Sequence, residues 1–121
     1  MATQDTCCTI VPYFKISEGK VEAFKELCER FMEKASGEEK CLYYGFSFDD
    51  GNLVHCREGY ADAEGLLVHV ENVGALIEEA LQISELVRLE VHGPEAELAK
   101  LRKPLAALNA QFFTLEYGFR R

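Results

Sequence analysis

The sequence predicts an α+β protein of the ferredoxin-like kind, an antiparallel sheet with helices on one face, and three observations carry that prediction. An amphipathic helical segment, "SEGKVEAFKELCERFMEKAS", lies between two β-rich stretches. A β-hairpin pattern follows at 41–60, with Asp49-Asp50-Gly51-Asn52 as its turn. A second helical segment and another β-rich stretch complete the order β-α-β-β-α-β, which two split βαβ units build into one sheet. A short helix and one more strand extend it.

Residues 8–16, "CTIVPYFKI", have strand composition, and Pro12 marks an edge or a bulge because proline cannot donate to a ladder. Ser17 is placed to cap the first helix. Val21, Phe24, Leu27, Cys28, Phe31, Met32 and Ala35 recur on one face, and Gly37 ends it. On the first hairpin arm, Leu42, Tyr44, Phe46 and Phe48 share a face; on the second, Val54, Cys56, Glu58 and Tyr60 do. Asp62 is a good N-cap for a helical region running to about Gln82, with Asn72 and Gly74 as interruptions that suggest two shorter helices. Residues 85–93 form the next strand, and Gly93-Pro94 opens a helix over 94–103. The final strand, "QFFTLEYGF", puts Phe113, Leu115, Tyr117 and Phe119 on one side. Residues 1–121 read as one domain, with 1–6 expected to be flexible. Helices cover one sheet face. The other carries Cys41 and Tyr43 and needs a cover, which a homodimer packed sheet on sheet would supply.

Composition narrows the function. A chain of 121 residues buries about two-thirds of its unfolded surface. Thirteen basic against 21 acidic residues give a formal charge of −8 without a basic face, which disfavours nucleic acid and anionic membranes as partners. No apolar run approaches the ~20 residues of a membrane helix, and no secretory signal opens the chain, so a cytoplasmic location is expected. The five cysteines, at 7, 8, 28, 41 and 56, include no C-x-x-C pair and read as reduced thiols. His55 and His92 have no metal-ligand partners at a recognisable spacing, and no phosphate-cradling glycine motif occurs, so neither a metal nor a cofactor is expected.

The segment Glu58-Gly59-Tyr60-Ala61-Asp62-Ala63-Glu64, followed by His69, resembles the E-x-aromatic-x-D/S-x-E…H pattern of the antibiotic-biosynthesis-monooxygenase family. "ISEGKVEAFKEL" is similar to that family's first strand, glycine turn and helix, and "KCLYYGFSFDDGNLV" to its second and third strands, so the likeness spans roughly residues 8–92. It implies a dimeric α+β barrel with a ligand pocket between helix and sheet. It also implies a range of chemistry: cofactor-free oxygenation of quinols or phenols, haem degradation, small isomerisations, or no catalysis. The haem branch uses an asparagine on the first strand and a tryptophan. Here that asparagine position falls on Pro12 and the chain has no tryptophan, which sets haem degradation aside.

His69 is the candidate catalytic residue. If the second helix is continuous, Leu66, Val70, Val73, Ile77 and Ala80 define its apolar stripe and His69 lies roughly 60° from the centre, on the shoulder of the buried face. A neutral imidazole there, with a pKa near ~6.5, could deprotonate a phenol or quinol so that its anion reacts with oxygen. It could equally be a packing residue. Tyr60, Tyr44 and Asn72 are candidate orienting groups for an aromatic or apolar ligand, although the tyrosines also suit a core and Asn72 a helix break. Glu58 shares its face with Cys56 and Tyr60, and if helices cover that face it is buried and requires a partner. The expectation is a cofactor-independent monooxygenase. The alternatives are a non-catalytic, stress-responsive binding barrel, or a lactone isomerase-like enzyme using a histidine with a nearby cysteine or tyrosine.

Overall fold

In the computed structural model, which describes residues 5–121, the chain runs β1 (Cys8–Ile16), α1 (Val21–Ser36), β2 (Cys41–Phe48), β3 (Leu53–Tyr60), α2 (Ala63–Asn72), α3 (Gly74–Gln82), β4 (Ser84–Gly93), α4 (Glu95–Leu101), a 3-10 turn (Ala106–Leu108) and β5 (Gln111–Thr114). The sheet order is β2-β3-β1-β4-β5. Its first four strands pair antiparallel, and β5 adds parallel to β4. The α+β class and the βαββαβ order read from the sequence are those of the structure. Of the residues expected to be flexible, 1–4 lie outside the described region. Thr6 donates to the Ala61 carbonyl at 2.7 Å, and Arg120 holds Asp5.

Two local readings change and one is narrowed. Of the edge or bulge expected at Pro12 the edge is excluded, because β1 lies between β3 and β4, and a ladder irregularity is found beside it. The chain accommodates it where the β1–β3 pairing skips from Ile10 to Tyr13, next to a register shift against β4 at Tyr13/Phe14. Ser17 does not cap α1. Its carbonyl instead accepts from Lys20 in a turn where Gly19 adopts φ +77°, a conformation cheap only for glycine, and the helix starts at Val21. The last strand stops at Thr114: after Leu115 donates to the Gly93 carbonyl at 2.8 Å the chain leaves the sheet edge, and Tyr117 and Phe119 stand exposed. Asp62 caps α2 as expected, accepting from the Gly65 amide at 2.9 Å.

Helices and sheet enclose two apolar clusters. One, under α2 and α4, includes Ile10, Leu66, Val91, Leu98 and Leu101. The other, under α1 and α3, includes Phe14, Phe24, Phe31, Val54 and Leu76, with Phe24 packed on the rings of Phe14, Phe46 and Phe48. Burying each such side chain is worth about 1.5–3 kcal/mol. On the opposite face of the sheet, the Tyr43 ring lies over Gly59, where a Cβ would come within 2.3 Å of it, and Thr9 shares a 3.0 Å hydrogen bond with the Tyr43 hydroxyl. Among the described residues no helix is long and apolar enough to cross a membrane. Two of the buried ionisable side chains, Glu58 of β3 and His69 of α2, meet on the helix-covered face of the sheet.

Candidate active site

Alternation along β3 sends Arg57 out to solvent and Glu58 in, against the helices, where only 3% of it remains accessible. From α2, His69 points at it. The helix is held at its first turn by two carboxylates: Asp62 takes the Gly65 amide, and the buried Glu97 of α4 takes the Ala63 amide at 2.9 Å. The Nε2 of His69 lies 3.2 Å from Glu58 Oε1. Its Nδ1 lies 2.9 and 2.8 Å from the two oxygens of Glu38, which stands in the connection between α1 and β2. The result is a buried Glu38···His69···Glu58 array.

Each end of the array is fixed from behind. Tyr60, two residues along β3 and on the same face, donates its hydroxyl to Glu58 Oε1 at 2.5 Å. Asn72, the last residue of α2, donates to Glu38 Oε2 at 2.8 Å and reaches the Lys34 carbonyl at 3.4 Å. The Glu38 backbone donates to the Ala35 carbonyl and accepts from the Cys41 amide, which pins its loop. The rings of Tyr44 and Tyr60 both sit 5.1 Å from the imidazole.

This arrangement decides the charge of the ring. A carboxylate only accepts hydrogen bonds, so Nδ1, which faces both oxygens of Glu38, is placed to donate, and with Glu58 3.2 Å from Nε2 the two acidic groups together favour the doubly protonated ring. Burial pushes the His69 pKa down, but hydrogen bonds and charge from Glu58, then Glu38, outweigh it, and the pKa lies above the ordinary histidine value. A raised pKa favours the protonated imidazole between its two carboxylates. Burial, reinforced by the charge of Glu58, pushes the Tyr44 and Tyr60 phenols and the Cys56 thiol up, so these groups keep their protons.

A cavity of about 200 Å³ opens against the array. Its walls are apolar, from Ile10, Phe14, Phe46, Val73, Ile77 and Leu89 among others, with exposed Leu81 and Leu108 at its margin. Polar lining is confined to one end, where Tyr44, Cys56, Glu58 and His69 meet. No lysine or arginine among the described residues lines it. Of the five sequence candidates, Tyr44, Glu58 and His69 face this cavity. Tyr60 and Asn72 do not; they hold Glu58 and Glu38 instead. The sequence reading missed Glu38, one of two adjacent glutamates in a loop, whose only signal would have been that a buried histidine-glutamate pair needs a further acceptor.

The structure is similar to the crystal structure of MupZ from Pseudomonas fluorescens, with 53% sequence identity, a TM-score of 0.92, and coverage of 97% of this chain and 96% of that one. It is also similar to a Nitrosomonas europaea protein provisionally assigned as an antibiotic biosynthesis monooxygenase, at 18% identity and a TM-score of 0.68 over 77% of this chain and 94% of that one. A Chloroflexus aurantiacus protein with the same provisional assignment matches at 17% identity and a TM-score of 0.61, over 73% of this chain and 92% of that one. No protein-family model matches the sequence, and no curated protein does. At 53% identity over nearly the whole chain the first likeness is one of family, whereas the other two are likenesses of fold.

Proposed function

Because this chain belongs to the same family as MupZ, on the α+β fold of the antibiotic biosynthesis monooxygenases, we propose that it is an acid–base enzyme that removes a proton from a hydroxyl of a small, uncharged, mainly apolar molecule. The observation that carries this reading is the Glu38···His69···Glu58 array opening on an apolar cavity. Glu58 Oε1 is committed to Tyr60 and His69, so its other oxygen receives the substrate proton. The His69 imidazolium beside it stabilises the oxyanion left behind, and the proton balance within the site is unchanged. Two carboxylates and one imidazolium, with no lining lysine or arginine, make this end of the cavity a poor host for an anion.

On this fold the step serves cofactor-independent oxygenation of a phenol or quinol: the anion is the electron donor, dioxygen the acceptor, one oxygen atom entering the ring and the other leaving as water with two substrate hydrogens. An acid and a base side by side also favour a second reading, proton-transfer isomerisation, in which the proton taken at one atom is returned at another. One experiment separates them. With anthrone or menadiol, oxygenation consumes dioxygen faster than the uncatalysed reaction. With an unsaturated lactone, isomerisation exchanges substrate hydrogen for solvent deuterium under anaerobic conditions. Ligand binding with neither outcome would make the protein a binding module.

The homodimer belongs to the same proposal. The outer sheet face carries Val11, Tyr13 and Tyr43, and the buried Nδ1 of His55 on this face has no hydrogen-bond partner among the described residues. A second copy packed on this face would cover them, in a cytoplasm whose reducing conditions suit the five unpaired cysteines. Light scattering is expected to give about twice 13.7 kDa. A folded species at the single-chain mass, at micromolar concentration, would remove the dimer.

A further inference from the structure

We infer that Glu38 is a positioning residue for this site: by receiving the Nδ1–H of His69 on both carboxylate oxygens, it holds the ring as the doubly protonated imidazolium that Glu58 and the cavity meet. The inference rests on the acid–base reading for its purpose but not for its test. Glu38 does not line the cavity and so cannot touch the substrate. Its side chain is nonetheless only 6% accessible, an unusual place for a glutamate whose hydrogen-bonding partners include no lysine or arginine. Those partners are the His69 ring and the Asn72 amide. Burial of this kind persists when the charge is used by a neighbour.

The groups around the imidazole leave Glu38 this task. From β3 come Glu58 and Tyr60, with Cys56 on the same face; from β2 comes Tyr44; from the α1–β2 connection comes Glu38. Tyr44 and Tyr60 keep their protons and add no charge. Glu58 alone could hold one N–H, but when it accepts a substrate proton it becomes neutral. At that moment Glu38 is the remaining counter-ion, and it keeps His69 positively charged where the oxyanion forms. Without it the ring would lose its second proton to the site and the oxyanion would face a neutral group.

The test is a titration of the His69 imidazole by long-range proton–nitrogen NMR, assigned with a His69→Gln variant, in the full chain without ligand. In the unaltered protein both ring nitrogens should carry hydrogens at neutral pH. Glu38→Gln keeps a hydrogen-bond acceptor for Nδ1 and removes the charge, and it should move the His69 midpoint down by about one pH unit or more. Glu38→Asp, which restores the charge with a shorter reach, should recover part of that shift. A lone pair on either nitrogen of the unaltered protein at about pH 6, or an unchanged midpoint in Glu38→Gln, would overturn the role. The first of these outcomes needs no variant and so survives a folding failure. Loss of turnover with every phenol, quinol and lactone tried would defeat the acid–base reading and leave this result standing.

Discussion

Glu58→Gln is expected to lower kcat by at least ~10²-fold, the scale of a lost general base, while leaving the protein folded and its ligand affinity close to unchanged. Glutamine has the shape of glutamate, and its amide oxygen can still face Tyr60 and His69, so the 2.5 Å hydrogen bond from Tyr60 and the 3.2 Å contact with Nε2 have substitutes. What it cannot do is take a proton. His69 also keeps Glu38 as its counter-ion in this variant, so no charge is stranded in the interior. A fall in kcat with KM nearly constant would identify Glu58 with a step made only in the transition state. A kcat within a few-fold of the parent would exclude Glu58 as the base, whatever the cause of its burial.

The fold was legible because its signals are periodic and local. Val21, Phe24, Leu27 and Phe31 recur at helical spacing and lie on the buried face of α1, apart from Val21 at its half-covered start. Asp62 is a residue whose side chain caps wherever it sits before a helix, and it does so here. Where a local preference failed, tertiary contacts overrode it: Ser17 was displaced as a cap by a turn that Gly19 makes possible. Pro12 sits inside the sheet where the ladder is irregular, the second of the two placements that its missing N–H allows.

The site was half legible for the same reason. Alternation put Glu58 on one face with Cys56 and Tyr60; which face the helices cover is settled by the fold, and the need for a partner then follows from burial. The break that Asn72 and Gly74 suggested is there, between α2 and α3, but the position of His69 was worked out for a continuous helix, on its shoulder; the ring is instead almost fully buried with Glu38 over it. Nothing periodic announces Glu38. Its role depends on a loop being folded back across 31 residues of sequence, a contact that only the assembled fold defines.

His69→Ala is expected to destabilise the protein by about 3–5 kcal/mol, more than loss of the ring's packing explains, because it leaves two carboxylates buried without their cation. In a domain whose total stability is on the order of 5–15 kcal/mol, that is a large share. Replacing all three members with apolar residues, Glu38→Met, Glu58→Leu and His69→Leu together, should recover most of the loss or exceed the parent, since the desolvation of three ionisable groups disappears with them. It should also abolish turnover. The pH dependence has a definite sign. With its pKa raised by folding, His69 contributes stability in full below the unfolded value of about 6.5, and that contribution is lost as pH rises through the folded value. Urea unfolding of parent, single and triple variants across that range measures all of this. If the triple variant were no more stable than His69→Ala, the array would be a net structural brace and its claim to be machinery would fail. If the triple variant is stable, inert and indifferent to pH, the chain keeps three costly buried groups that its fold can do without, and catalysis is the reason left for keeping them.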